Sequence, residues 1–125
     1  MLNYLIVFIG GGVGSMMRHG VNVAAARLTG TAFPYGTLTV NVTGSLVMGL
    51  FAGYFAFKGD ASQSWRLFLM TGILGGFTTF SSFSLDFAML FERGATVPAM
   101  LYVAGSVGIS LAAIFLGLYV GRVIG

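Results

Sequence analysis

The sequence predicts an all-α membrane protein with four transmembrane helices, the third of which is broken near its middle. Of the 125 residues, 57% are hydrophobic and only 7% are charged, whereas a soluble domain carries about 25% charged residues. The mean hydropathy is +0.95. The apolar residues form four long segments, and one of them contains glycines and hydroxyl side chains that disfavour a continuous helix.

The four apolar segments are separated by short polar connections and run from about 2 to 26, 36 to 57, 65 to 91 and 96 to 123. Each is longer than the ~20 residues that a helix needs to cross a bilayer. We therefore expect one four-helix transmembrane domain covering 1–125. The N-terminus lacks the basic region of a signal peptide, so we expect the first segment to be retained.

Composition excludes several classes of function. Six Lys and Arg against three acids give a net charge of +3, which suits anionic lipid headgroups and is too small for a nucleic-acid-binding surface. With no Cys, one His and three acids, the chain has no plausible nucleophile–base set and no all-side-chain metal site. It also lacks a P-loop pattern. We therefore expect no enzyme and no ATP-driven pump, and the many neutral hydroxyls favour passive conduction.

The third segment contains the most informative run of the chain. Between Thr71 and Ser84 it carries three glycines, two adjacent threonines and a Phe at every third position, at 77, 80 and 83. In lipid, a loosened backbone is tolerated only where protein or a water-filled cavity satisfies its polar groups. A broken membrane helix of this kind is typical of an ion or solute site. The phenylalanines either pack in the bundle or present their electropositive ring edges to an anion.

Arg18 in the first segment and Asn41 in the second are candidate functional residues. Insertion of the charged Arg18 side chain at membrane depth costs at least ~2.5 kcal/mol, which makes this residue a functional candidate. It could attract an anion, bond to backbone carbonyls, snorkel to the interface or pair with Asp86. Asn41 offers two amide donors, for an interhelical hydrogen bond or for an ion.

Three hydroxyls share one face of the fourth segment, because Tyr102, Ser106 and Ser110 recur at every fourth position. Small-residue packing would explain the serines, and an interfacial position would explain the tyrosine. Alternatively, the stripe faces the interior and replaces the hydration shell of an ion.

The orientation of the chain is weakly specified. Four spans place Lys58, Arg66 and Arg122 on one side and Arg27 and Arg93 on the other, a difference of three minus two, or one charge. Because Lys/Arg bias sets orientation, so small a bias predicts insertion both ways up. The sequence has no internal repeat, so inverted symmetry would have to come from a second subunit in an antiparallel dimer. A fixed topology is the alternative.

Three motifs in order resemble the Fluc fluoride channels, also called CrcB-like proteins. They are Gly36–Asn41 (GTLTVN), Gly75–Ser84 (GGFTTFSSFS) and Tyr102-x3-Ser106-x3-Ser110. The similarity covers essentially the whole chain, including Arg18 in the first span. It implies a fluoride-selective passive channel of the inner (plasma) membrane, built as an antiparallel dual-topology homodimer, that exports fluoride and gives fluoride resistance.

The resemblance also implies roles for individual residues. The fluoride pore would be lined by Asn41, Thr79, Phe80, Ser82, Phe83, Tyr102, Ser106 and Ser110. A structural Na⁺ at the dimer interface would be bound by the backbone carbonyls of Gly75 and Thr78, since hard cations prefer oxygen ligands. The implied partners are fluoride, the lipid bilayer and a second copy of the chain, with no nucleic acid.

Two other functions remain as alternatives. A small multidrug-type proton-coupled exporter is also a four-span dual-topology dimer, but its mechanism needs a carboxylate in the first helix, where this chain has Arg18 and no acid. A noncatalytic membrane scaffold subunit would not need hydroxyls in register on two helices beside a broken one.

Overall fold

The computed structural model describes residues 1–56 and 63–125, and all regular structure in these ranges is helical. The elements, in chain order, are α1 (Leu2–Thr29), α2 (Tyr35–Phe55), α3 (Gln63–Arg66), a π-helix (Leu67–Leu74), α4 (Gly75–Phe77), α5 (Phe80–Glu92) and α6 (Thr96–Ile124). The elements from α3 to α4 follow one another directly, two residues separate α4 from α5, and all of them together make the third of four helical segments. The predicted end of the second helix at Phe57 and the charge of Lys58 lie outside the described residues.

Three of the four segments are long and apolar enough to cross a membrane, namely Tyr35–Phe55, Gln63–Glu92 and Thr96–Ile124. The first segment was also predicted to span, and α1 is long enough with 28 residues. It is not among the three candidates, because its apolar run is interrupted by polar side chains that include Arg18 and His19.

The helix ends follow local chemistry. Gly30 ends α1 with φ 77°, and Gly94 lies in the turn between α5 and α6 with φ 84°; both are left-handed conformations that favour glycine. Pro34 has φ −80° and ψ 67°, and the N–H of Tyr35 donates to the carbonyl of Phe33 at 2.8 Å. These values describe an inverse γ-turn, which turns the chain sharply into α2.

Two residues between α4 and α5 are extended. Thr78 has φ −87° and ψ 157°, and Thr79 has φ −153° and ψ 125°. The Thr79 side chain then caps α5, because its Oγ1 accepts a hydrogen bond from the N–H of Ser82 at 3.1 Å. The run of glycine and threonine therefore yields a non-helical pair followed by a new helix start.

Glycines bring the helices into backbone contact. A methyl group added at Gly10 of α1 would lie 2.9 Å from the Cα of Gly72 in the π-helix. On the other side of the bundle, Gly49 and Gly53 of α2 pack against the backbone around Gly117 and Gly121 of α6. Small residues at these positions therefore let the helix backbones approach each other closely.

Few large side chains are buried in one chain. The buried hydrophobic residues are Val40, Leu74, Phe77, Leu90, Ala99 and Tyr102, and three of these form a cluster between α5 and α6: Leu90, Ala99 and Tyr102. Many large apolar side chains are exposed on all four segments. Such a surface has to be covered by lipid or by another protein chain.

Candidate functional site

A cavity of about 340 Å³ lies between α2, α5, α6 and the extended pair Thr78–Thr79. Its lining consists of Asn41, Gly44, Ser45, Met48, Thr78, Thr79, Phe80, Phe83, Ser106, Val107, Ser110, Leu111 and Ile114. The lining is apolar at one end, and it carries an amide, hydroxyls and two phenyl rings elsewhere. We refer to it as the central cavity. Six of the eight residues predicted for the pore line it.

The wall of the central cavity is held by Asn41, whose amide pairs with the backbone of Thr79. Its Nδ2 donates to the Thr79 carbonyl at 2.9 Å, and its Oδ1 accepts from the Thr79 N–H at 2.8 Å. Both backbone polar groups of an extended residue are thereby satisfied within the bundle. One N–H of the amide remains for another acceptor, because the Asn side chain has two donors.

The pairing with Asn41 and the cap of α5 together free two backbone carbonyls. In a continuous helix, the N–H of Thr79 would donate to Gly75 and the N–H of Ser82 to Thr78. Here these N–H groups donate to Asn41 Oδ1 and to Thr79 Oγ1. The carbonyls of Gly75 and Thr78 therefore lose their usual helical donors.

The side chain of Arg18 donates to a backbone carbonyl next to that of Gly75. Its Nε donates to the carbonyl oxygen of Gly76 at 3.1 Å, which corresponds to the interpretation as a structural bond to the backbone. The suggested pairing of Arg18 with Asp86 is not observed within the described residues, where Asp86 accepts from the hydroxyl of Tyr102 at 3.2 Å. A backbone carbonyl is the kind of partner that stabilises a cationic side chain inside a membrane protein.

The two phenyl rings of the central cavity are neighbours. The ring centroids of Phe80 and Phe83 lie 5.6 Å apart, with an interplanar angle of 47°. Phe83 is half-buried and its ring also contacts the ring of Tyr102 at 5.2 Å. Phe80 is 78% exposed in the single chain, so this side of the cavity is open. Packing inside one chain therefore accounts for Phe83 but not for Phe80.

The three hydroxyl side chains on one face of α6 have two different surroundings. Ser106 and Ser110 line the central cavity, and among the described residues their buried Oγ atoms have no hydrogen-bond partner. Unpaired buried hydroxyls are costly unless water or an ion completes them. Tyr102 is fully buried between helices, so its ring packs inside the bundle and is not exposed at the surface of the chain.

A second cavity of about 270 Å³ lies at the end of the bundle where α1 meets the start of α2. We refer to it as the end cavity. Its lining includes Asn22, Phe33, Thr37, Ser82 and Asp86. Ser82, predicted for the pore, therefore lines this cavity and not the central one.

Sequence reasoning did not single out all of the lining residues. Ser45 and Met48 line the central cavity, and their spacing from Asn41 on α2 was the available signal. Asn22 carried the same signal as Asn41, an amide inside an apolar segment, whereas Phe33 had no signal in the sequence pattern. In the part of the chain that the structure describes, no three His, Cys, Asp or Glu side chains lie close enough together to hold a metal ion.

The sequence matches a known protein family over most of its length. The family model described as "CrcB-like protein, Camphor Resistance (CrcB)" matches residues 5–118. The chain belongs to the CrcB-like family. The family resemblance predicted from the three motifs is confirmed.

Close relatives span the whole chain. A protein of Rhodopseudomonas palustris (strain BisB5), named fluoride-specific ion channel FluC, is 63% identical over 98% of this chain and 99% of its own length. The fluoride-specific ion channel FluC 2 of Nitrobacter hamburgensis is 58% identical over 97% of this chain and 98% of its own. A FluC of Methylobacterium nodulans is 58% identical over the full length of both. These relatives of the CrcB-like family are named as ion channels, not as enzymes.

Proposed function

We propose that this CrcB-like protein is a fluoride-selective passive ion channel that exports cytoplasmic fluoride across the inner membrane and gives fluoride resistance. The observation that carries the proposal is the 63% identity, over almost the full length of both chains, to a fluoride-specific ion channel. The three apolar segments long enough to cross a membrane support a multi-pass position in the bilayer.

The central cavity supports a path for a small anion. The open ring of Phe80 lies next to that of Phe83, and a phenyl ring edge is electropositive. Across the cavity, the free hydroxyls of Ser106 and Ser110 can donate to a partly dehydrated ion. Neutral donors bind an anion without holding it too tightly to leave, which suits conduction.

The pore assigned by this proposal extends beyond the central cavity. Asn41, Thr79, Phe80, Phe83, Ser106 and Ser110 form its wall. Ser82 and Tyr102 contribute from the side of the end cavity, where Tyr102 packs against Phe83 at 5.2 Å between ring centroids. The path would then run from the polar end cavity past Tyr102 to the central cavity.

We further propose that the channel is an antiparallel dual-topology homodimer. Within one chain, Phe80 is largely uncovered, and α1 carries an open groove lined by Gly11, Gly12 and Ser15 next to Gly76. Small residues allow another helix to approach closely. A second copy seated there would close the open side of each cavity. The near-zero Lys/Arg bias between the two sides supports opposite orientations.

The extended pair Thr78–Thr79 is proposed as the break of the third membrane helix and as the place of a structural Na⁺. The carbonyls of Gly75 and Thr78 fit this ion, because they have lost their helical donors and oxygen ligands suit hard cations. Gly75 is exposed in the single chain, so two copies could contribute carbonyls to one ion. Bound there, Na⁺ would join the two breaks electrostatically and take no part in transport.

Anion efflux from liposomes that contain the purified protein tests the function. Fluoride and chloride electrodes are read side by side, with and without a proton gradient. We expect fast fluoride release, little chloride release and no requirement for ATP or protons. Fluoride release only with a proton gradient would favour the exporter, and no release of either ion from a folded dimer would favour the scaffold subunit.

A further inference from the structure

The connection between α1 and α2 is tied to the interior of the bundle. It consists of residues 30–34 and ends in the inverse γ-turn at Pro34. The carbonyl of Ala32 accepts a hydrogen bond from Nη2 of Arg93, which lies in the turn between α5 and α6. Two connections that are 61 positions apart in sequence are therefore linked at the same end of the bundle.

The side chain of Phe33 enters the bundle from this connection. Its ring contacts the Tyr102 ring with 5.5 Å between centroids and an interplanar angle of 86°. Such edge-to-face pairs stabilise a defined mutual orientation. Phe33 also packs against the buried cluster of Leu90, Ala99 and Tyr102, and it lines the end cavity.

The aromatic contacts continue from Tyr102 into the proposed pore. Tyr102 contacts Phe83 at 5.2 Å, and Phe83 contacts Phe80 at 5.6 Å. Four rings thus form an unbroken series from the connection to the central cavity: Phe33, Tyr102, Phe83 and Phe80. Because Tyr102 is fully buried, its ring can move only if one of its neighbours moves.

We infer that Phe33 is a positioning residue for the anion path, and that Arg93 holds it in place through Ala32. Phe33 fixes the tilt of the Tyr102 ring, and Tyr102 in turn fixes the edge that Phe83 presents to the central cavity. This inference rests on the proposed fluoride conduction. It adds to that function a role for the connection 30–34, which lies outside the central cavity.

Substitution of Phe33 in the full-length protein tests the inference. With Phe33→Ala, the Tyr102 ring gains space, and we expect fluoride efflux per dimer to fall on the order of tenfold, as for mutations that act through a packed network. The ratio of fluoride to chloride efflux should fall as well. Phe33→Tyr keeps the ring, and its hydroxyl can reach the polar end cavity, so it should retain both quantities.

A matched control separates positioning from general destabilisation. Phe51 is also half-buried and pairs with another ring, Phe55, at 6.1 Å, but it lines neither cavity. Phe51→Ala should leave flux and selectivity unchanged at a similar loss of thermal stability. If Phe51→Ala lowers both as much as Phe33→Ala does, Phe33 has only a packing role and the inference is wrong.

Arg93→Gln provides a second route that leaves the rings in place. It removes the guanidinium that donates to Ala32, so we expect a smaller loss of efflux in the same direction, and the double variant Phe33→Ala/Arg93→Gln should be no worse than Phe33→Ala alone. Additive losses, or normal flux in Phe33→Ala, would overturn the inference. A wild-type protein that does not conduct fluoride would instead overturn the proposed function.

Discussion

The side chain of Asn41 forms two hydrogen bonds to one residue, Thr79, at 2.9 Å and 2.8 Å. The amide replaces the helical partners that Thr79 would have in a continuous helix. It therefore stabilises the extended pair from the neighbouring helix α2. It also leaves the carbonyl of Gly75 without its helical donor, so one contact connects the wall of the central cavity to the proposed cation site.

Asn41→Ala should destabilise the protein by about 1–3 kcal/mol, because it leaves two backbone groups of Thr79 unsatisfied inside the bundle. Reversible unfolding in mixed detergent micelles measures this change. Asn41→Asp should be at least as harmful, since a carboxylate can accept from the Thr79 N–H but cannot donate to its carbonyl.

The control for Asn41 is Asn22→Ala, which removes an amide that lines the end cavity and has no part in the extended pair. Asn22→Ala should lower the free energy of unfolding by less than Asn41→Ala does. Equal stability of the Asn41→Ala variant and the wild type would show that the paired hydrogen bonds do not hold the extended pair.

How much of this arrangement the sequence predicts depends on the range of the interaction. Helix positions follow from the apolar segments, because the bilayer requires both a minimum length of apolar sequence and a helical backbone. The extended pair falls within a run of glycine and threonine whose helix propensity is low. These are local properties, and the family resemblance added the order of the pore motifs.

Longer-range relationships could not be predicted in the same way. The pairing of Asn41 with Thr79 joins residues 38 positions apart. Tyr102 and Asp86 meet only because α5 and α6 pack together. Ser82 lines the end cavity, and spacing along the chain does not contain this information. The π-helical geometry of Leu67–Leu74 has no signal in the sequence that we can identify.

Phe80→Ile should lower fluoride efflux strongly while the dimer remains intact. The substitution keeps an apolar side chain and removes the electropositive ring edge that the proposal assigns to the anion. Phe115→Ile on α6 is the control, since Phe115 is similarly exposed, at 69%, and does not line the central cavity. Unchanged efflux in Phe80→Ile would show that the ring edge of Phe80 does not interact with the anion.

Gly75→Val should disturb the dimer and its response to Na⁺ but leave the fold of each chain intact. Within the chain, a Cβ at Gly75 would meet only the carbonyl of Met70, at 3.8 Å, so any crowding by the branched side chain comes from outside the chain. Size-exclusion chromatography with and without Na⁺ measures the effect.

The neighbouring Gly76 gives the contrast to Gly75. A Cβ there would overlap the backbone of Gly11, so Gly76→Ala should destabilise the chain itself. A dimer of Gly75→Val that is intact and insensitive to Na⁺, together with a Na⁺-sensitive wild type, would count against a role of Gly75 at the interface. An insensitive wild type would exclude the sodium site.

Gly14→Ala should lower the free energy of unfolding by about 1–3 kcal/mol through overpacking. A methyl group at Gly14 would overlap the carbonyl oxygen of Ile73, which forces α1 away from the π-helix. Gly20→Ala, on the same helix, points into open space and should be neutral or slightly stabilising, because Ala favours a helix more than Gly does. Equal effects at both positions would show that the backbone contact is not important for stability.

Arg18 allows its charge to be separated from its hydrogen bond. The atom that donates to Gly76 is Nε, and the amide nitrogen of Gln is the same number of bonds from the backbone. Arg18→Gln therefore keeps the bond and removes the charge, whereas Arg18→Lys keeps the charge and moves the donor.

Because the observed contact is the bond to Gly76, we expect Arg18→Gln to retain the stability and fluoride efflux of the wild type within a few-fold. Arg18→Met, which has neither property, should lose about 1.5–3 kcal/mol of stability, the range for a hydrogen bond to a charged group. If Gln and Met reduce efflux equally while Lys conducts normally, the charge of Arg18 attracts the anion and the bond to Gly76 is secondary.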